Sequence, residues 1–190
     1  MRRQTENRAF TLVELMVVMA IILILAAIVF PVLTNVRRSA MHSKASSDVR
    51  MLHSAISAFR NEYHRYPLVR SAGDMASDMR YNNSQLVASL LANDRTDNPR
   101  GIAFLRINEA SLNDAGEFVD PWRIEGTRYG SPYEAMVDSN YSGTIDVAIS
   151  AQDISIGTVT NVPVAVWTLG DRDDRRSGLI TSWGGEFLER

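Results

Sequence analysis

Cysteine is absent from the 190-residue chain. That excludes disulfides, thiolate zinc sites, iron–sulfur clusters and cysteine nucleophiles, although it leaves the compartment open. Neither charge sign dominates: 20 Lys and Arg stand against 22 Asp and Glu, for a formal net charge of −2. A nucleic-acid binder driven by phosphate contacts needs a basic excess, so no nucleic-acid partner is expected. No nucleophile elbow, metalloprotease helix, P-loop or dinucleotide fingerprint occurs, and nothing points to an enzyme. Hydrophobic residues at 45% and charged residues at 22% exclude wholesale disorder.

What is present is unevenly spread. Positions 15 to 36, LMVVMAIILILAAIVFPVLTNV, carry no charge. A bilayer core needs about 20 apolar residues in a helix, so a retained membrane helix is expected here. A signal peptide would have an apolar core of about 7–15 residues and a small-residue cleavage site. Thr34, Asn35, Arg37 and Arg38 follow instead. Upstream, Arg2, Arg3 and Arg8 outweigh Glu6, which holds that flank in the cytoplasm and sends the chain after Val36 outside. Arg37 and Arg38, on the far flank, work against that rule. Glu14 opens the apolar run, where a charge deep in lipid costs about 2.5–3.5 kcal/mol. Either it stays at headgroup level or it meets a cation, for example on another copy of the chain. Pro31 removes a backbone N–H and crowds the preceding turn, so it either kinks the helix or ends the span.

Past the apolar run, Met41, Ala45, Val49, Leu52, Ile56, Phe59 and Tyr63 recur at steps of three and four, the stripe of an amphipathic helix. Arg37, Arg38, Lys44, Asp48, Arg50 and Arg60 are read on the other face. His42, His53 and His64 recur every eleven residues, about 16 Å of helix rise, too far apart to share an ion. Tyr66-Pro67 stops the helix. A short helix is predicted over Ser84 to Leu91. Strands are predicted over Ile102 to Ile107, Tyr133 to Val137, Thr144 to Ile149 and Val162 to Leu169, forming a small antiparallel sheet or meander. Asp120-Pro121-Trp122 reads as a turn anchored on the core by its aromatic ring. The expected fold class is α+β: a long N-terminal helix, membrane-spanning in its first half and amphipathic in its second, packed on a small antiparallel β-sheet.

Ala9-Phe10-Thr11-Leu12-Val13-Glu14 resembles the processing signal of type IV pilins and of the pseudopilins of type II secretion. Phe10, Glu14 four residues on and Pro31 twenty-one residues on stand in that family's register, and Ala9 replaces its usual Gly. The resemblance implies a leader of residues 1–9, a transmembrane helix half over 10–36, an amphipathic half over 37–66 and a periplasmic globular domain over 67–190. It implies cleavage after Ala9 by a prepilin peptidase, N-methylation of Phe10, and pairing of the Glu14 carboxylate with the Phe10 ammonium of a neighbour. The Asp120-Pro121-Trp122 segment, with Pro132-Tyr133 further on, is similar to a major-pseudopilin segment, at a longer spacing. The implied partners are further copies in a filament, minor pseudopilins, the peptidase, an inner-membrane platform with a cytoplasmic ATPase, and membrane lipid.

Two acidic loops are candidate calcium sites. Asp138, Asn140, Ser142 and Asp146 place oxygen donors at alternate positions, but the carboxylate due at the twelfth position is Ile149, and the same residues simply make a β-turn. Asp171, Asp173 and Asp174 resemble the C-terminal calcium loop of major pseudopilins ahead of Ser182-Trp183. Interleaved Arg172, Arg175 and Arg176 also allow a self-neutralised surface loop. The expected function is a single-pass inner-membrane structural subunit, N-terminus cytoplasmic, assembled into a pseudopilus for type II secretion. A type IV pilin for adhesion, motility or DNA uptake is the alternative within the family. A membrane-anchored periplasmic binding or enzymatic domain is the alternative outside it.

Overall fold

The structure is a computed structural model; it describes residues 10–75, 78–124, 126–147, 157–170 and 179–183. It divides into two compact units, Met1–Ala40 and Met41–Arg190. Helix α1 (Leu12–Tyr63, 52 residues) supplies all the helical structure among the described residues of the first unit and opens the second.

In the second unit the apolar stripe of α1 is the spine of the core. Ala45, Val49, Leu52, Ile56 and Phe59 are all buried, with Ala55 beside them. Asp48, expected on the solvated face, is also buried. It lies three residues after Ala45 and four before Leu52, which is the stripe itself. Its carboxylate is tolerated because Lys44 Nζ lies 2.7 Å away and the Tyr133 hydroxyl donates to it at 3.0 Å. Burial, and then the Asp48 charge, push the Tyr133 hydroxyl far above the ordinary phenol range. The helix ends where His64 turns left-handed (φ 55), its N–H donating to the Arg60 carbonyl at 2.8 Å.

After a 3-10 turn at Ala72–Met75 come strand β1 (Met79–Arg80) and helix α2 (Asn83–Leu90), whose N-cap Asn82 accepts from Gln85 N at 3.3 Å. The Ile102 to Ile107 stretch is not a strand. Gly101 turns left-handed, and the Phe104 and Leu105 N–H groups both donate to the Leu90 carbonyl. That segment therefore closes the end of α2 and buries Leu105 instead of pairing with a neighbour.

The remaining strands are β2 (Glu134–Val137), β3 (Thr144–Val147), β4 (Gly157–Thr160), β5 (Val164–Thr168) and β6 (Ile180–Thr181). They form two sheets and not one meander: a four-stranded antiparallel sheet ordered β1-β2-β5-β6 and a separate β3-β4 ribbon. Register explains the division. Ala135 opposes Val166 and Val137 opposes Val164, and all four join the α1 core. The alternate residues Met136, Ala165 and Trp167 face the other way, onto Ile145, Val147 and Val159 of the ribbon. Strand β5 is buried along its whole length because both of its faces are covered. Strand β4, GTVT, carries too little apolar alternation to be read as a strand.

Without disulfides, the loops are held by buried polar side chains. Asn83 donates to the Phe118 and Tyr133 carbonyls and accepts from Phe118 N at 2.7 Å. Asp97 accepts from Ser89 Oγ at 2.6 Å and Leu68 N at 3.0 Å, and pairs with Arg65 at 2.7 Å. Asp120 accepts from the Trp122 and Ser131 amides and from Thr168 Oγ1 at 2.7 Å, which ties the Asp120-Pro121-Trp122 turn to β5. Gly130 is obligatory in this turn, since a Cβ there would collide with the Asp120 carbonyl and carboxylate and the Trp122 carbonyl.

Candidate functional site

The start of α1 combines the two features that drive membrane chemistry, bare apolar surface and a single carboxylate. Every large apolar side chain from Phe10 to Leu25 is between 45% and 75% exposed. The helix is apolar all round here, so its own unit has no core in which to bury it, and lipid or other helices must supply the cover. Among the described residues this is one helix long and apolar enough to cross a membrane.

Glu14 lies in the first turn, where its charge complements the helix dipole. The Thr11 N–H donates to Glu14 Oε2 at 2.9 Å and the Thr11 hydroxyl donates to the same oxygen at 2.8 Å. In return the Glu14 N–H donates to Thr11 Oγ1 at 3.2 Å. These bonds form a capping box, which satisfies amides that a helix start leaves orphaned. Reading Glu14 only as a charge misses Thr11, yet the signal is in the sequence as Thr-x-x-Glu ahead of an apolar run. Phe10, immediately before the cap, is 75% exposed. Ala9 lies outside the described residues. Helix α1 continues through position 31, so Pro31 does not end it.

The candidate ion loops are distributed differently. Asp138, Asn140 and Ser142 come together at the start of the β2–β3 loop. Asp138 Oδ1 accepts from Ser142 N at 2.8 Å, Asp138 Oδ2 accepts from Gly143 N at 2.8 Å, and Asn140 Oδ1 also accepts from Ser142 N. The Asp138 carboxylate thus holds the turn that carries left-handed Tyr141 and Gly143. Asp146 sits on β3, exposed, its N–H donating to Asp78 Oδ2 at 3.2 Å. Among the described residues no group of three or more His, Asp or Glu is placed to hold a metal ion. Asp171, Asp173 and Asp174 lie outside the described residues.

Comparison with known proteins bears on the same segment. The family model described as the prokaryotic N-terminal methylation motif matches residues 5–30. The chain is 40% identical over 67 residues to type II secretion system core protein G of Escherichia coli (strain K12), covering 35% of this chain and 46% of that protein. It is 29% identical over 174 residues to the core protein G of Aeromonas hydrophila, covering 90% of this chain and 96% of that protein. It is 42% identical over 65 residues to the type IV major pilin protein PilA of Myxococcus xanthus (strain DK1622), covering 34% of this chain and 30% of that protein. The matches to the Escherichia coli and Myxococcus xanthus proteins thus span less than half of those relatives' lengths. No solved structure matches. These relatives are type II secretion and type IV pilus proteins, the two groups that the signal around Phe10 and Glu14 resembles.

Proposed function

We propose that this chain, a likeness of the type IV pilins and pseudopilins, is a non-enzymatic subunit of a pseudopilus serving type II protein secretion. The observation that carries the reading is the bare apolar first half of α1 opened by one capped carboxylate. The near full-length similarity to the Aeromonas hydrophila core protein G favours a secretion pseudopilin over a surface pilin.

In this reading the chain crosses the inner membrane once, with residues 1–9 cytoplasmic and residues 67–190 periplasmic. A prepilin peptidase cuts after Ala9 and methylates the new amine of Phe10, which stays cationic. Pro31 bends the apolar half of α1, and neighbouring helices accommodate the bend. On assembly, the Glu14 carboxylate of one copy pairs with the Phe10 ammonium of the next. Each charge alone is costly in lipid, and the pair offsets part of that cost only at the right axial stagger. Minor pseudopilins, the inner-membrane platform and its cytoplasmic ATPase complete the machinery. Mass spectrometry of the natural product tests the reading. An N-methylated chain beginning at Phe10 supports it, and a chain beginning at Met1 overturns it.

For calcium, the loop of Asp171, Asp173 and Asp174 is the first candidate and the Asp138 loop the weaker one, because its carboxylate already serves the turn. Excess calcium raises the melting midpoint over that in chelator if either site binds. Identical midpoints remove both.

A further inference from the structure

The charges bounding the apolar run carry one more inference, which rests on the membrane-spanning reading of α1. The 22 uncharged residues from Leu15 to Val36 rise about 33 Å as a helix, matching a hydrocarbon core of about 30 Å. With Glu14 at one boundary, Arg37 and Arg38 fall at the opposite headgroup layer. Both are exposed on α1. Between positions 10 and 40 the only carboxylate is Glu14, at the far end of the run and engaged by Thr11. Arg37 has no hydrogen-bond or ion-pair partner among the described residues, whereas Arg38 already has an interaction within the chain and contributes its charge. Consecutive helical positions diverge by about 100°, so the two side chains do not chelate one ligand. At that depth the anions at hand are lipid phosphates, and a guanidinium fork fits phosphate in bidentate fashion.

We propose that Arg37 and Arg38 form a binding site for anionic phospholipid headgroups in the leaflet opposite the basic leader, holding the unassembled subunit at a fixed depth. Assembly withdraws α1 from lipid and must break these contacts, so the pair also sets how readily a subunit leaves the bilayer.

The full-length chain, reconstituted at one copy per nanodisc in phosphatidylcholine, is probed with spin-labelled phosphatidylglycerol and, separately, spin-labelled phosphatidylcholine. The leader arginines are common to all variants, so differences report on positions 37 and 38. The wild-type chain immobilises phosphatidylglycerol in preference to phosphatidylcholine. The double variant R37Q/R38Q lowers that preference by about fivefold per cation. R37K/R38K keeps most of it, and salt weakens it. Equal immobilisation of both lipids by the wild-type chain overturns the site, as does a double variant indistinguishable from it. A preference that appears only at several copies per disc also overturns it, in favour of a carboxylate on a second copy. Alkaline extraction separates the two levels: a wild-type chain released by alkali defeats the membrane-spanning reading itself, whereas a retained chain without lipid preference defeats this site alone.

Discussion

Thr11 and Glu14 hold each other across the first turn of α1, with two donors from Thr11 on one carboxylate oxygen and the Glu14 amide returned to the Thr11 hydroxyl. The carboxylate proposed to find a neighbour's ammonium is therefore already solvated by its own chain in the single copy. Two jobs meet on one side chain, the observed helix start and the proposed stagger selection, and substitutions separate them.

Glu14→Gln should insert at wild-type levels and assemble at least about 100-fold less well, since it leaves the neighbour's Phe10 ammonium unpaired between packed helices, at a cost of about 3–5 kcal/mol. Thr11→Val should keep the charge but lose a cap of about 1 kcal/mol, with Thr11→Ser restoring it. Filament yield reads the first effect, and amide exchange at residues 12–15 reads the second. Normal filaments from Glu14→Gln would refute the pairing.

Gly130→Ala should lower stability by about 1–3 kcal/mol, because the atoms its Cβ meets are mostly backbone and cannot step aside. Gly116→Ala is the comparison: a Cβ there meets nothing, and only the left-handed backbone (φ 76) costs about 1 kcal/mol. Denaturant midpoints of the detergent-solubilised chain measure both. Equal midpoints would show that the Asp120–Trp122 turn is looser than described.

Tyr81 is buried, and its hydroxyl has no partner among the described residues. Burial holds that hydroxyl well above the ordinary phenol range, neutral at any physiological pH. Tyr81→Phe removes an unpaired polar atom at constant shape and should stabilise by about 1 kcal/mol. A drop in the melting midpoint would mean that the hydroxyl is bonded after all.

Burial lowers the pKa of half-buried His53 on α1. The unfolded imidazole takes up a proton below about pH 6.5, whereas the folded one resists. Stability from this group is complete above that value and is lost as pH falls through the lower, folded pKa. The melting midpoint should fall from pH 7 toward pH 5.5, and His53→Gln should flatten the decline over that window. An unchanged slope would place the titration elsewhere.

Much of this fold is written in local patterns. The stripe from Ala45 to Phe59 has the helical period, and β2 and β5 alternate or run apolar, so helix α1 and the central strand pair are legible. Asp48 is not, because its place in the core needs the Tyr133 hydroxyl, 85 residues away, beside the nearby Lys44 ammonium. The Ile102 to Ile107 segment has strand composition, but the Leu90 carbonyl takes its amides. Such long-range hydrogen bonds leave no periodic trace. At the site, Phe10 and Glu14 stand out by residue type and register, while Thr11 stands out only when Glu14 is read as half of a cap.

The outer strands of the four-stranded sheet, β1 and β6, are two residues long. An edge that brief offers no ladder on which a foreign strand could grow. In the proposed filament that sheet is thus withheld from amyloid-like stacking. The copies of that proposed filament would be left to meet through the greasy first half of α1, one subunit at a time.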